Sequence, residues 1–333
     1  MPAVIFTGSG LRLAERPTPS LSDDSNVAIR LTMTGICGTD RSIALGSFPA
    51  VPGVILGHEA VGEVVAVRGS AFQLGDRVVV NPTYHCGKCR YCRRGMAAHC
   101  PSKEGREIGV DSDGTLTNYI VMPERFVHRI PEGIEWRRAV GIEPLACVLN
   151  NLIAASPRFD DHVVVLGAGP IGTLCGLVLG ARGARVAIVE VDEQRASIVR
   201  DILPSRIPVW SGIPSRHRPG VIIDAVGTEL ARAFELVDSN GKIVVMGERE
   251  GVTASIGARS LVTRGVRVIG AGPYSPEHFE MAIDLAQDLP LESLVTHSFE
   301  LERYAEAFAL LGTGGSEQYG AMKVLLTTGE ELT

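Results

Sequence analysis

Val163-Val164-Val165-Leu166-Gly167-Ala168-Gly169-Pro170-Ile171-Gly172 is the stretch that decides the fold. Four apolar residues bounded by glycine predict a strand buried on both faces of a parallel sheet. The apolar run after Gly172 predicts a helix, so that G-x-G-x-x-G has the strand–turn–helix context of a dinucleotide site. The glycines permit a tight turn, and the helix N-terminus offers free N–H groups to a pyrophosphate. The expected cofactor contacts are Gly167, Gly169, Pro170, Ile171 and Gly172.

An acidic residue follows the next predicted strand, Arg185–Val189, eighteen residues after Gly172. Glu190 at that place can accept hydrogen bonds from both ribose hydroxyls, and its charge would repel a 2′-phosphate. The pattern therefore favours NAD over NADP. Two alternatives stay open, because Asp192 is a competing acid and Arg195 could bind a phosphate.

Strands and helices alternate on both sides of this motif, which predicts an α/β fold with a doubly wound parallel sheet. The third βα unit, within residues 202–220, contains four prolines and is predicted to be abbreviated. The predicted elements here are a helix over 144–155, the strand 163–166, a helix ending near 182, the strand 185–189, a helix over 193–202, strands 221–224, 242–246 and 266–270, and a helix over 230–237.

The first 145 residues have a different character, with short strands separated by glycine and proline. This pattern predicts an antiparallel, barrel-like domain. After Gly272 the sequence predicts two helices and a closing strand. The predicted elements are strands over 27–33, 60–67, 77–80, 118–122 and 126–130, helices over 276–287 and 301–311, and the strand 322–326.

Composition excludes several classes of protein. The 333 residues carry a net charge of -6 and no basic stripe, which argues against a nucleic-acid partner. No apolar run reaches the roughly 18 residues of a membrane span, and the N-terminal residues lack a secretory pattern. We therefore expect a cytoplasmic protein whose clustered cysteines are reduced and bind metal.

Cys86, Cys89, Cys92 and Cys100 form a C-x2-C-x2-C-x7-C pattern. Four thiolates at this spacing can close a tetrahedral shell around one Zn²⁺, leaving no open position. This zinc would therefore be structural. We expect His85 and His99, which flank the pattern, to be loop residues and not ligands.

A second set of metal-ligand residue types is dispersed along the chain, in Gly35–Asp40, in Gly57-His58-Glu59 and at Glu143-Pro144-Leu145. A catalytic zinc needs about three protein ligands and one open position. Cys37 and His58, with one or both of Glu59 and Glu143, would supply them. Thr39 could accept the proton of an alcohol substrate. The nearby Arg41 and Ser42 are candidate pocket or relay residues, and the remaining Cys147 and Cys175 are expected to pack in the core.

In order and spacing, these motifs resemble those of the zinc-containing medium-chain alcohol dehydrogenase family over essentially the whole chain. The resemblance implies a GroES-like catalytic domain at 1–146 and 272–333, with a structural zinc lobe near 84–101. A Rossmann NAD-binding domain would occupy 147–271. It further implies one catalytic and one structural zinc per subunit, and a homodimer or homotetramer.

Glu143-Pro144-Leu145 is similar to the polyol branch of the family, which includes sorbitol and threonine dehydrogenases. That branch implies that Cys37, His58 and Glu59 hold the catalytic metal, with Glu143 coordinating directly or through water. Ser42 and Asn150 stand where many relatives have histidine. Both features are similar to the 2-deoxy-scyllo-inosamine dehydrogenases, which favours a cyclitol or aminocyclitol substrate.

The sequence thus predicts a zinc-dependent oxidoreductase that transfers a hydride from a secondary alcohol to NAD. The alcohol would be a polyol, cyclitol or aminocyclitol. One alternative is an amino-alcohol dehydrogenase of the L-threonine type. The other is a zinc-stabilised nucleotide-binding protein without catalytic activity.

Overall fold

The computed structural model describes residues 1–23, 26–158, 160–313 and 320–329. The chain divides into two compact units. The first comprises Met1–Pro144 and Ser275–Thr333, and the second comprises Leu145–Tyr274.

Fifteen strands occur among the described residues. They are β1 Pro2–Phe6, β2 Leu11–Glu15, β3 Val27–Gly35, β4 Glu59–Val67, β5 Arg77–Val80, β6 Tyr119–Met122, β7 Val127–Arg129, β8 His162–Leu166, β9 Arg185–Val189, β10 Val209–Trp210, β11 Val221–Asp224, β12 Lys242–Val245, β13 Arg267–Ile269, β14 Val295–Glu300 and β15 Lys323–Thr327.

The described residues also form nine α-helices. They are α1 Gly38–Ala44, α2 Trp136–Ala139, α3 Ile142–Ala155, α4 Pro170–Ala181, α5 Glu193–Ile202, α6 Leu230–Leu236, α7 Ala258–Arg264, α8 Pro276–Leu285 and α9 Tyr304–Phe308.

The first unit is built on a seven-stranded sheet in the order β14-β15-β3-β4-β5-β7, with β6 paired to β3. All pairings are antiparallel except that of β14 with β15. Val27, Ile29 and Leu31 of β3 are buried, whereas Arg30 between them is exposed. This alternation places one face of β3 in the core, as expected for strand geometry.

The second unit contains a six-stranded, wholly parallel sheet in the order β10-β9-β8-β11-β12-β13. In chain order this is 3-2-1-4-5-6, the order of the Rossmann fold. The residues Val163, Val164 and Val165 of the central strand β8 have no exposed surface. The predicted doubly wound parallel sheet is therefore confirmed.

The third βα unit is reduced to the two-residue strand β10, and no helix occurs between β10 and β11. Three rings occupy this region: the His162 and His217 ring centres lie 4.1 Å apart, and Trp210 lies 5.2 Å from His217. The four prolines of this stretch lack the N–H groups that a helix would use, which accounts for the shortening.

One element prediction is wrong in detail. The single helix expected over 301–311 is three short pieces: a 3-10 turn Leu301–Arg303, the helix α9 and a π turn Ala309–Thr313. No range was predicted from the sequence for strands β1, β2, β10 and β14 or for helices α1, α2 and α7.

Candidate active site

The four cysteines of the C-x2-C-x2-C-x7-C pattern lie together, with every pair of sulfurs within 4.8 Å. Cys89 Sγ is 3.5 Å from Cys92 Sγ and 3.8 Å from Cys100 Sγ, and Cys86 Sγ is 3.9 Å from Cys92 Sγ. Four sulfurs around one zinc at about 2.3 Å would lie about 3.8 Å apart. The observed arrangement therefore fits a tetrahedral zinc, and His85 and His99 lie outside the group.

Backbone amides prepare these thiols for ionisation. Hydrogen bonds from the Lys88 and Cys89 amides lower the pKa of Cys86 to about 6, and the amide of Cys92 lowers the pKa of Cys89. Burial and a hydrogen bond with Cys89 raise the pKa of Cys92 to about 12. Several thiolates this close repel one another, so full ionisation requires a bound cation.

A second group brings Cys37, His58 and Glu59 together, again with one ligand atom of each within 4.8 Å of the others. Cys37 follows β3 as the N-cap of α1, and His58 immediately precedes β4. Because Gly35 pairs with Glu59 in the β3–β4 ladder, two distant sequence motifs meet at one edge of the sheet. A side chain at position 35 would collide with Glu59, since its Cβ would lie 2.2 Å from Oε2.

Asp40 joins the two loops that carry these ligands. Its Oδ2 accepts a hydrogen bond from the Cys37 amide at 2.8 Å, and its Oδ1 accepts one from the Gly57 amide at 3.0 Å. The side chain is fully buried, and burial raises the pKa of this carboxyl. Sequence analysis assigned Asp40 no role. Its role could have been predicted from its place as the third residue of a helix, where an acid commonly bonds to the capping residue before the helix.

Lys323 supplies a buried cation beside the group. Its Nζ lies 2.7 and 2.6 Å from the two carboxylate oxygens of Glu59 and donates to the Ile36 carbonyl at 3.4 Å. Burial favours the neutral amine, but the attraction of Glu59 and Cys37 outweighs it and raises the pKa of Lys323. Sequence analysis did not identify this residue, because it lies in a strand at the far end of the chain.

The surroundings of His58 favour positive charge. Burial alone would lower its pKa, but the Cys37 thiolate, Asp40 and Glu143 outweigh burial and raise it well above the usual value. Glu143 is buried in the first turn of α3 and also contributes to the raised pKa of Lys323. Glu143 is outside the group of three whose ligand atoms meet, so its direct or water-bridged coordination stays a prediction.

Sulfur, imidazole and carboxylate donors in a site that favours a cation suit Zn²⁺. Three protein ligands leave a fourth position open, which distinguishes this group from the four-cysteine cluster. Thr39 lies beside it, with its hydroxyl oxygen 3.9 Å from Cys37 Sγ.

The other candidate pocket residues have backbone partners. Arg41 Nε donates to the Leu311 carbonyl at 2.5 Å, and the Ser42 carbonyl accepts from Ser47. Asn150 donates to the Gly272 carbonyl at 2.8 Å. A role for Arg41 or Ser42 in the pocket or in a proton relay stays a prediction.

The glycine motif forms a turn between β8 and α4, and Pro170 is the first residue of the helix. Glu190, buried at the end of β9, reaches this turn: its Oε2 accepts from the Ala168 amide and its Oε1 from the Asp192 amide, each at 3.0 Å. Each carboxylate oxygen can accept more than one hydrogen bond. The Glu190 carboxylate can thus accept further hydrogen bonds, such as those from ribose hydroxyls, beside the glycine turn.

Asp192, the competing acid, has a structural task. Its Oδ1 accepts from the Arg195 amide at 2.9 Å, which makes Asp192 the N-cap of α5. This hydrogen bond supports the choice of Glu190 for the ribose. Arg195 lies in the first turn of that helix. Of the remaining thiols, Cys175 is fully buried, and Cys147 is partly exposed on α3.

Asp224 is a further positioning residue that sequence analysis missed. It is fully buried at the end of β11 and accepts hydrogen bonds from the amides of Val226, Gly227 and Glu229. The loop that it shapes lies against the glycine turn, because a Cβ at Gly167 would be 2.6 Å from Val226. An acid directly after a buried parallel strand was the signal for it.

Comparison with known proteins gives a consistent picture. Residues 23–132 match the alcohol dehydrogenase GroES-like domain. The chain is 27% identical to a sorbitol dehydrogenase of Halalkalibacterium halodurans, covering 98% of this chain and 99% of the relative. It is 30% identical to an L-threonine 3-dehydrogenase of Aeromonas salmonicida, covering 92% and 94% respectively.

A solved Escherichia coli alcohol dehydrogenase, complexed with NADH, superposes with a TM-score of 0.87 at 28% identity, covering 98% of this chain and 99% of that one. The alcohol dehydrogenase of Thermus sp. ATN1 gives 0.85 at 25% identity, covering 99% and 100%.

The fold, the donor groups and these relatives together define a dehydrogenase. The chain belongs to the zinc-containing medium-chain alcohol dehydrogenase family, in its polyol branch. The predicted resemblance and the GroES-like fold of the first unit are thereby confirmed.

Proposed function

We propose that this protein oxidises a secondary alcohol, a polyol, cyclitol or aminocyclitol, and transfers the hydride to NAD. The observation that carries the proposal is the group of Cys37, His58 and Glu59. It holds three donors of different chemistry in a site that favours a cation. A chain with a glycine turn backed by Glu190 also has the means to bind the hydride acceptor.

Zinc held by Cys37, His58 and Glu59, with Glu143 nearby, would supply the Lewis acid that alcohol oxidation requires. The chain's own residues prepare the site. Asp40 fixes the spacing of the Cys37 and His58 loops, and Lys323 holds the Glu59 carboxylate. The Thr39 hydroxyl, 3.9 Å from Cys37 Sγ, accepts the proton of the substrate hydroxyl and passes it on.

The four-cysteine cluster would hold a second, structural zinc. Its sulfur separations of 3.5 to 3.9 Å support this role, since four thiolates leave no position for a substrate. The domain roles follow: residues 1–146 and 272–333 form the catalytic domain, and 147–271 bind NAD.

Amino-alcohol oxidation is the second candidate reaction, because the L-threonine 3-dehydrogenase relative is 30% identical to this chain. Polyol oxidation is supported by the sorbitol dehydrogenases, which match over nearly the whole chain. A zinc-stabilised nucleotide-binding protein without catalytic activity would have no need for three metal donors beside an open position.

We also propose that the protein is a homodimer or homotetramer. Strand β13 is an edge of the parallel sheet within the described residues, and Val268 on it is 41% exposed. Val262 on the adjacent helix α7 is 80% exposed. An exposed edge strand beside apolar side chains is a common site of chain association.

A cytoplasmic location completes the proposal. Among the described residues no disulfide joins the cysteines, as is usual where cysteines are kept reduced. Among the described residues there is no helix of the length and apolar character that crossing a bilayer would need.

A substrate panel tests the proposed reaction. Sorbitol, xylitol, myo-inositol, 2-deoxy-scyllo-inosamine and L-threonine are each supplied with NAD, and NADH formation is followed by absorbance. Turnover of a polyol or cyclitol above that of L-threonine supports the proposal. Preference for L-threonine selects the amino-alcohol reaction, and zinc-loaded protein that is inactive on every alcohol refutes both.

A further inference from the structure

The first unit contains a cavity of about 1020 Å³ with no residue of either cysteine-containing group in its wall. Its walls come from the segment after β2, from the loop over 106–114 and from β6 with the turn that follows. Ligand cavities in proteins commonly have a volume of this order, with mainly apolar walls and a few polar groups. The apolar wall residues include Tyr84, Ile108, Tyr119, Ile120, Met122 and Phe126.

Two guanidinium groups of this wall rest on aromatic rings. The Arg106 guanidinium carbon lies 4.8 Å from the centre of the Tyr84 ring, and its Nη1 donates to the Tyr84 hydroxyl at 2.6 Å. The Arg125 guanidinium carbon lies 4.6 Å from the Phe126 ring centre and 5.7 Å from that of Tyr84. Both side chains therefore converge on Tyr84.

Three carboxylates also line the wall, and each has a partner other than Arg106 and Arg125. Their partners are the Ile55 amide at 3.0 Å for Asp113, the Ala71 amide at 3.0 Å for Glu124, and Arg68 at 3.2 Å for Asp23. Within the part of the chain that the structure describes, Arg106 and Arg125 form no ion pair with a carboxylate. A third wall guanidinium, Arg16, lies 4.0 Å from Asp113, so Arg106 and Arg125 are the guanidinium groups without an ion pair among the described wall residues.

Stacking on a ring leaves in-plane N–H groups available, apart from the Arg106 Nη1–H that bonds to Tyr84. These groups match the oxygens of a phosphate or carboxylate, which bind guanidinium in a bidentate manner. The partly exposed Tyr84, Ile108 and Tyr119 offer contact surface to an aromatic or apolar body. The chemistry of the wall is that of a site for an anion with an apolar body.

We propose that this cavity binds a small organic anion, with its charged group at Arg106 and Arg125 and an aromatic or apolar body against Tyr84, Ile108 and Tyr119. The lining residues include no member of either metal group. The cavity would bind a molecule other than the alcohol and the nucleotide of the proposed reaction.

The test is calorimetric titration of zinc-loaded protein, saturated with NADH, with 1-naphthyl phosphate. One molecule per chain is expected to bind, and 1-naphthol and inorganic phosphate should each bind at least about tenfold more weakly. Absence of binding, or competition with NADH, would overturn the proposal.

Arg106→Gln and Arg125→Gln should each weaken 1-naphthyl phosphate at least about tenfold, because each removes a charged hydrogen-bond donor. Arg30→Gln is the matched control, since Arg30 pairs with Glu63 outside the cavity wall. Arg125 is exposed, so its replacement leaves the fold intact. The affinity of Arg125→Gln therefore tests the site even if Arg106→Gln does not fold. Unchanged affinity in Arg125→Gln, or an equal loss in Arg30→Gln, would also refute the site.

Discussion

Among single residues, Glu59 both pairs with Lys323 and belongs to the proposed metal site. Its carboxylate is 1% exposed and forms an ion pair with Lys323. One of its oxygens also lies within 4.8 Å of the ligand atoms of Cys37 and His58. A buried carboxylate without a cation carries a large desolvation cost, so Lys323 stabilises the position of a proposed zinc ligand. The pairing also explains why an acid directly follows the histidine of the second motif.

Replacement of Lys323 by Met is expected to destabilise the first unit by about 3 kcal/mol, because Glu59 would remain buried and unpaired. Thermal unfolding followed by circular dichroism measures this loss as a lower Tm. The double variant Lys323→Met with Glu59→Gln should recover more than half of it. Additive losses in the double variant would show that the pair does not act as a unit.

The cofactor preference depends on Glu190 if its carboxylate binds the ribose. Glu190→Ala should raise the ratio of kcat/KM for NADP to that for NAD at least about tenfold, since it removes both the acceptor and the repulsive charge. Asp192→Ala is the control: it should cost about 1 kcal/mol of stability through the lost N-cap and leave the preference unchanged. A shift of preference in Asp192→Ala instead would transfer the ribose role to that residue.

Site residues could be predicted from the sequence where they belong to a local motif. The four cysteines, the glycines and Cys37-His58-Glu59 could be selected from spacing and residue type. Asp40, Asp224 and Lys323 could not, because their tasks depend on which loops or strands meet in space. Lys323 is 264 residues from Glu59, and the pairings of β15 with β3 and of β3 with β4 bring the two together.

Among the elements, the glycine turn has two glycines with different tasks. A Cβ at Gly172 would lie 1.9 Å from the Gly167 carbonyl oxygen, whereas a Cβ at Gly169 would meet nothing within 4 Å. Gly172 is thus required for packing of α4 against the turn. Gly169 leaves space on the side that a pyrophosphate would approach.

Two substitutions separate these tasks. Gly172→Ala should lower both the Tm and the affinity for NADH, because the turn must shift. Gly169→Ala should leave the Tm unchanged and still weaken NADH at least about tenfold. Thermal unfolding and NADH fluorescence titration provide the two readouts. Full NADH affinity in Gly169→Ala would remove this turn from the cofactor site.

Elements with strong patterns were predicted to the residue, as in β5, β9, β11 and α5. The helix expected over 301–311 is instead a 3-10 turn, the short helix α9 and a π turn, and the positive φ of 90° at Gly312 ends the helical stretch. Helix α1 has only seven residues and is stabilised by Asp40, so its sequence carries too few turns to show a period.

For the molecule as a whole, the half-buried His128 links stability to pH. Burial lowers the pKa of His128 to about 4, its ring lies 5.0 Å from that of Phe279, and its Nε2 has no hydrogen-bond partner among the described residues. The unfolded chain would bind a proton near pH 6.5, whereas the folded chain would not until about pH 4. The stability from the neutral ring is therefore complete above pH 6.5 and is lost as the pH falls to about 4.

Protonation of His128 lowers the free energy of unfolding by about 3 kcal/mol at low pH and by about 1 kcal/mol at pH 5.5. His128→Phe should remove this part of the acid sensitivity, since it replaces the ring by one that does not titrate. Unfolding of both proteins at pH 7.5 and pH 5.5 gives the comparison. An equal loss of stability in both would show that His128 is already protonated in the folded state.

Zinc content per chain is the measurement that tests the central claim most directly. Mass spectrometry of metal in the purified protein should find two zinc ions per chain, and Cys37→Ala should retain one, keep its fold and lose alcohol oxidation. One zinc or none in the unaltered protein would contradict the two-site account. Full activity in Cys37→Ala would remove the proposed catalytic centre from this part of the fold.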